Sequence, residues 1–99
     1  PAKRVVVTGM GVICPVGLNV STMWQNLVEG RSGIGPITVF DTSDFQVHFG
    51  GEPHGFDPLD YMSARKARRT DRFTQYALAA LEQALAQSGL SIDEHNAHD

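Results

Sequence analysis

The sequence predicts an α/β chain whose sheet is incomplete, with one core strand and two helices assigned from pattern. Val5-Val6-Val7-Thr8 is a β-branched run without alternation that stops at Gly9, as in a strand buried on both faces. Apolar residues then recur at helical spacing around positions 20–28 and again over 70–88. A strand buried on both faces needs neighbours, and a stable sheet usually needs three or more strands. A single further run qualifies as a weak strand. The chain therefore reads as the opening portion of a larger α/β protein.

Each element has its own signal. After the first strand, Gly9, Gly11, Pro15 and Gly17 punctuate an apolar connection that includes Val12, Ile13 and Cys14. Asn19 or Ser21 can cap a helix whose Val20, Met23, Trp24, Leu27 and Val28 share one face. Gly30 stands where a left-handed cap is wanted, and Arg31 suits that end of the helix dipole. Residues 31–63 are rich in Gly, Pro, Asp and Ser and read mainly as loop. Val47-His48-Phe49 before Gly50-Gly51 forms a short edge strand in this reading, and Pro58 opens a single turn through Met62. Over 70–88, Phe73, Tyr76, Ala77, Ala80, Leu81, Ala84, Leu85 and Ser88 make one stripe. Gln75, Glu82, Gln83 and Gln87 are assigned to the opposite side. Gly89 ends this helix, with Leu90 set to fold back on it. Ser91-Ile92-Asp93-Glu94 has capping-box spacing for a further turn.

Apolar residues make up 41% and charged residues 19% of the chain, a balance that excludes long disorder. At 99 residues the chain has room for one domain burying about 60–65% of its unfolded surface. No apolar run reaches the roughly 18 residues of a membrane helix, and no basic-then-apolar leader is read. Cys14 is the single cysteine, so a disulfide framework and a cysteine-rich zinc site fall away. A cytoplasmic, reducing compartment is the expectation.

Charge is distributed unevenly. The formal total is −3, yet Arg65, Lys66, Arg68, Arg69 and Arg72 hold five of the eight basic residues. Against Asp71 they give that segment +4, while three basic and ten acidic residues leave the remainder at −7. If the last helix extends back to residue 65, Arg65, Arg68, Arg69 and Arg72 fall at i, i+3, i+4 and i+7. Their common direction then lies about 120° from the centre of the apolar stripe. They would form an exposed cationic ridge. Arginine suits carboxylate and phosphate because its planar fork donates two parallel hydrogen bonds. A solvated helix face is the alternative. Nucleic acid is disfavoured, since the rest of the chain repels a polyanion and no aromatic platform accompanies the ridge.

Three other patterns each have a structural reading beside the functional one. Gly9-Met10-Gly11-Val12-Ile13-Cys14 starts like a dinucleotide fingerprint, but Cys14 replaces the third small residue and the helix begins too late. A structural glycine turn fits better. Cys14 could be a nucleophile, though Ile13 and Pro15 offer nothing to lower its pKa, and a small buried hydrophobe is preferred. His48, His54, His95 and His98 lack the rigid frame of three or four ligands that zinc requires. No metal or cofactor is expected.

Several motifs together resemble a known family. Lys3 to Val12, followed by Cys14-Pro15-Val16-Gly17, resembles the opening of β-ketoacyl-acyl carrier protein synthases. Trp24 to Gly30 and then Arg31-Ser32-Gly33-Ile34 resemble their first helix and its exit. Phe40-Asp41-Thr42-Ser43 and Arg68 to Ala77 look like the synthase II branch in particular. The resemblance runs from about residue 3 to residue 92.

It implies the N-terminal part of a thiolase-like layered α/β fold, with residues 1–99 a segment of the synthase's N-terminal domain. The whole protein would be a cytoplasmic homodimer that extends fatty acyl chains by decarboxylating Claisen condensation. In that reaction a cysteine thiolate takes the acyl group, and two histidines assist loss of carbon dioxide from the malonyl carrier. None of Cys14, His48, His54, His95 and His98 matches those positions, so the segment carries no catalytic residue. The resemblance also implies docking of the acidic acyl carrier protein on Arg65, Arg68 and Arg69, with Lys66 and Arg72 as further contributors. Nucleic acid and membrane are not expected partners. A polyketide ketosynthase or its chain-length partner, and a separate basic-helix module binding an acidic protein, remain the alternatives.

Overall fold

In the computed structural model, residues 2–97 are described. Asn19 begins helix α1 (Val20–Val28), its side-chain oxygen accepting from the Thr22 amide at 2.8 Å. Of the two capping candidates, Asn19 is the cap. The helix ends as its sequence requires. Gly30 takes φ +73° and donates to the Leu27 carbonyl at 3.1 Å, while the Arg31 amide reaches Asn26 at 2.9 Å. This pair of crossed bonds closes a Schellman motif. Ahead of α1, Cys14 and Gly17 bond each other across Pro15-Val16, at 3.0 and 3.1 Å. Asn26 fastens that turn to the helix by donating to Val16 at 2.6 Å.

Strands β1 (Ile34–Pro36) and β2 (Phe49–Gly51) pair antiparallel, with Gly35 opposite Gly50 and Pro36 opposite Phe49. The expected edge strand at 47–49 thus lies two residues further on. Its partner comes from a stretch read as loop, where Gly35 and Pro36 conceal the extended backbone. A 3-10 turn (Pro58–Asp60) follows, with the Asp57 carboxylate accepting from the Leu59 amide at 2.9 Å.

The last helix, read over 70–88, does not extend back to residue 65. Helix α2 (Ala64–Arg69) and helix α3 (Arg72–Ser88) are separated by Thr70, whose backbone is extended at φ −120° and ψ 143°. The Thr70 hydroxyl turns back to the Lys66 carbonyl at 2.9 Å, a local bond that competes with continuing the helix. Gly89 ends α3 at φ +72°, donating to Leu85 at 3.0 Å. Leu90 stays half exposed and does not fold back. The capping box beyond it is shifted by two residues. Asp93 and Asn96 exchange backbone-to-side-chain bonds at 2.8 and 3.3 Å, and Ser91 caps nothing there.

Two expectations about the core are overturned. Residues 5–8 form no strand, and Val5 and Val7 are 94% and 79% exposed. A β-branched run becomes a strand only beside another strand, and β1 and β2 pair with each other and not with it. The buried side of α3 is also rotated from the predicted stripe. Gln75 and Ala79 are the buried residues among those described, while Phe73 is 73% exposed and Leu81 also lies open.

The reason is that residues 9–18 lie over Ala80, Ala84 and Ser88 of the stripe and over the neighbouring Gln83 and Gln87, leaving the Phe73–Ala77–Leu81 edge uncovered. Gln87 accepts from the Met10 amide at 2.7 Å, and Gln83 accepts from Val12 at 3.2 Å and donates to Leu18 at 2.7 Å. Gly9 and Gly11 permit this approach, because a Cβ on either would strike the Ala84 or Ala80 carbonyl. They serve backbone contact rather than a turn. Cys14 is half-buried, less enclosed than expected.

The outcome is an open assembly of helices α1, α2 and α3 and a two-stranded ribbon. The radius of gyration is 17.0 Å, against about 13 Å for a compact chain of this length. The exposed area of 7924 Å² likewise exceeds the roughly 5,500 Å² of a compact monomer of this mass. The α/β core is incomplete within these residues.

Candidate functional site

The basic segment lies on α2 and the first residue of α3. Ser63 starts α2, its hydroxyl accepting from the Lys66 amide at 3.2 Å. Lys66, Arg68 and Arg69 occupy the last turn, where positive charge complements the helix dipole. Arg65, Lys66, Arg68, Arg69 and Arg72 are all exposed.

Among the described residues Arg31 pairs with Glu29 at 2.7 Å, and the His95 ring lies 4.0 Å from the Glu94 carboxylate. The five cations of the segment therefore have no carboxylate partner there. They form a positive surface on an otherwise acidic chain, with field and hydrogen-bond donors free for an anionic partner.

The helix break changes the shape of this surface. Arg65, Arg68 and Arg69 belong to α2, whereas Arg72 sits beyond the extended link at the start of α3. The Arg72 guanidinium lies 5.7 Å from the centre of the Phe56 ring, within cation–π range. Phe56 in turn meets Tyr76 edge-on at 5.0 Å and stacks on Tyr61 at 5.9 Å. A single four-arginine ridge is thus replaced by a three-arginine helix with Lys66, plus one arginine held on an aromatic cluster.

Between α2 and α3 lies a shallow cleft of about 520 Å³, lined by Leu59, Ala64, Ala67, Arg68, Arg72 and Gln75. The break is held from below by Gln75, whose amide donates to Ala67 at 2.9 Å and Thr70 at 3.3 Å. Sequence reasoning missed Gln75 and Phe56. The spacing of Gln75, Ala79, Gln83 and Gln87 held the signal for the first. Amides and a small residue four apart mark a side that can satisfy backbone groups at close range. Nothing in the local pattern marks Phe56.

The other singled-out residues do not assemble into a catalytic site. Cys14 and His54 border one open cleft of about 460 Å³, and the Cys14 sulfur lies 3.5 Å from its contact, the Gly17 carbonyl. His48 meets the Thr42 hydroxyl at 3.0 Å, and His95 is exposed beside Glu94. His98 falls outside the described residues. Among the described residues no three His, Cys, Asp or Glu side chains converge as metal ligands, and no helix is long and apolar enough to cross a membrane.

The chain is similar to several known proteins. The chain is 48% identical over 97 residues to 3-oxoacyl-[acyl-carrier-protein] synthase 2 of Synechocystis, covering 98% of this chain and 23% of that protein. Identity to the protein of the same description in Vibrio cholerae is 50% over 95 residues, or 96% of this chain and again 23% of the relative. The chain thus spans about a quarter of the length of these relatives. Among solved structures, the ishigamide ketosynthase/chain length factor superposes with a TM-score of 0.84 at 37% identity, over 92% of this chain and 23% of that one. The sequence pattern described as beta-ketoacyl synthase, N-terminal domain, matches residues 2–99, and the chain accordingly belongs to the β-ketoacyl synthase family.

Proposed function

We propose that these residues are the opening segment of the N-terminal domain of a 3-oxoacyl-[acyl-carrier-protein] synthase of type II. The complete enzyme elongates fatty acyl chains by condensing an acyl thioester with a malonyl thioester on the carrier, losing carbon dioxide. The observation that carries this reading is identity of 48–50% to such synthases across nearly the whole chain. The catalytic cysteine and histidines lie outside these residues, which supply scaffold and a docking surface. The same reading makes the enzyme a cytoplasmic homodimer, on the strength of the family resemblance.

Arg65, Lys66, Arg68, Arg69 and Arg72 receive the acidic carrier protein in this proposal. Support comes from their exposure and from the lack of carboxylate partners for them among the described residues. Paired reversal, Arg68→Glu with Arg69→Glu, tests it in the complete enzyme. KM for the malonyl carrier should rise at least tenfold, since like charges now meet across the contact, while the melting temperature holds. An unchanged KM removes the docking role. The likeness to the ishigamide ketosynthase/chain length factor favours a second reading, a polyketide ketosynthase or its chain-length partner. Products formed by the purified complete enzyme separate the two.

A further inference from the structure

We infer that Gln75 is a positioning residue for the basic surface, fixing where Arg68 and Arg69 stand without touching the partner. The inference rests on the docking reading above. Gln75 is 7% exposed, and its amide nitrogen bonds the carbonyls of Ala67 and Thr70. Those two carbonyls bracket Arg68 and Arg69 in the chain. One side chain of α3 therefore grips the end of α2 on both sides of its arginine pair.

The orientation of the amide is determined by this grip. Rotated by half a turn, Gln75 would set its oxygen against two carbonyl oxygens, which repel it. In the observed orientation Oε1 is buried with no hydrogen-bond partner among the described residues. An apolar side chain of equal length would fill the same space without leaving an oxygen unpaired. What the amide adds is the pair of donors. Helix α2 has six residues, too few to hold a fixed direction without such tethers. Arg68 and Gln75 also line the same cleft.

Gln75→Met in the complete enzyme keeps the length of the side chain and removes both donors. KM for the malonyl carrier should rise about fivefold, the equivalent of one ordinary hydrogen bond. Both kcat and KM for malonyl pantetheine, which has no protein surface to dock, should stay unchanged. In an Arg68→Ala, Arg69→Ala background the substitution should have no further effect, because a residue acting through another is not additive with it. An unchanged carrier KM, an equal loss with both substrates, or full additivity in that background overturns the inference. Should Gln75→Met not fold, Gln75→Leu is judged by the same criteria, and failure of both to fold makes Gln75 a core support, which also overturns it. Failure of the docking reading is separate. It appears as an unchanged carrier KM when Arg68 and Arg69 are reversed with Gln75 intact.

Discussion

Met10 and Gln87 stand 77 residues apart in sequence and are joined by a 2.7 Å hydrogen bond from the Met10 amide to the Gln87 side-chain oxygen. Four residues earlier on α3, Gln83 does the same for Val12 and also donates to Leu18 and to the Tyr61 hydroxyl. The N-terminal connection is thus held to α3 through amide side chains that offer a donor and an acceptor at once. A backbone segment lying on a helix cannot find partners in the helix backbone, whose groups are already used. Glutamine supplies them.

Gln83 is accordingly the residue of that side most sensitive to replacement. Gln83→Leu leaves the Val12 amide and the Leu18 carbonyl without their partner, and should destabilise the complete enzyme by about 2–4 kcal/mol. Gln87→Leu breaks one exposed bond and should cost about 1 kcal/mol or less. Chemical denaturation of both variants checks the order. Equal effects would mean that burial of the contact does not set its strength.

The two glycines beneath those bonds give a second test. Gly11→Ala places a methyl group against the Ala80 carbonyl, a backbone atom that cannot swing aside. The substitution should cost about 1–3 kcal/mol through forced displacement of the segment. Gly35→Ala, in β1, meets nothing within 4 Å and should be nearly neutral. A melting temperature for Gly11→Ala equal to that of Gly35→Ala would show that residues 9–12 do not approach α3 this closely.

The local elements were legible because their signals are local. Asn19, Gly30 and Gly89 mark helix ends by capping chemistry that depends on a few adjacent residues, and each stands where the pattern put it. The first strand was not legible in the same sense. Val5-Val6-Val7 has the side chains of a strand, but strand formation is a property of a pair, and its partners are not among the described residues. The orientation of α3 failed for a related reason. Phe73, Ala77 and Leu81 form an apolar edge as good as any, and periodicity cannot say that the loop at 9–18 lies over Ala80, Ala84 and the adjacent Gln83 and Gln87 instead. The basic cluster was readable from composition, whereas its division at Thr70 depends on a hydroxyl bonding backward and on a glutamine arriving from α3.

Glu52 provides a pH-dependent tie beside the β1–β2 ribbon. Its carboxylate accepts from the Thr38 hydroxyl at 2.7 Å and from the amides of Thr38 and Val39 at 2.8 and 3.2 Å. The bonds from the Thr38 side chain, then its backbone, hold the carboxyl below its ordinary value of 4.5. A group with a depressed folded-state pKa stabilises above its unfolded value and loses that contribution as pH falls through the folded one. Protection of the Thr38 and Val39 amides from hydrogen exchange should hold at neutral pH and fall away below 4.5. Glu52→Gln should remove this pH dependence. Loss of protection already above that value would contradict the assignment.

Ionic strength tests the docking surface without altering the protein. The cations of α2 are exposed, so their attraction for an acidic carrier is screened by salt over a Debye length of about 10 Å at 0.1 M and about 3 Å at 1 M. KM for the malonyl carrier should therefore climb steadily with salt, while KM for malonyl pantetheine stays nearly flat. Replacing Arg65, Arg68 and Arg69 with alanine should flatten the carrier's dependence, because the charges being screened are then gone. Arg72→Ala should flatten it least, since its guanidinium lies on Phe56 beyond the helix break. A carrier KM that ignores salt would mean that apolar contact, not charge, brings the two proteins together, and the exposed Leu59 at the rim of the cleft would then be the residue to replace.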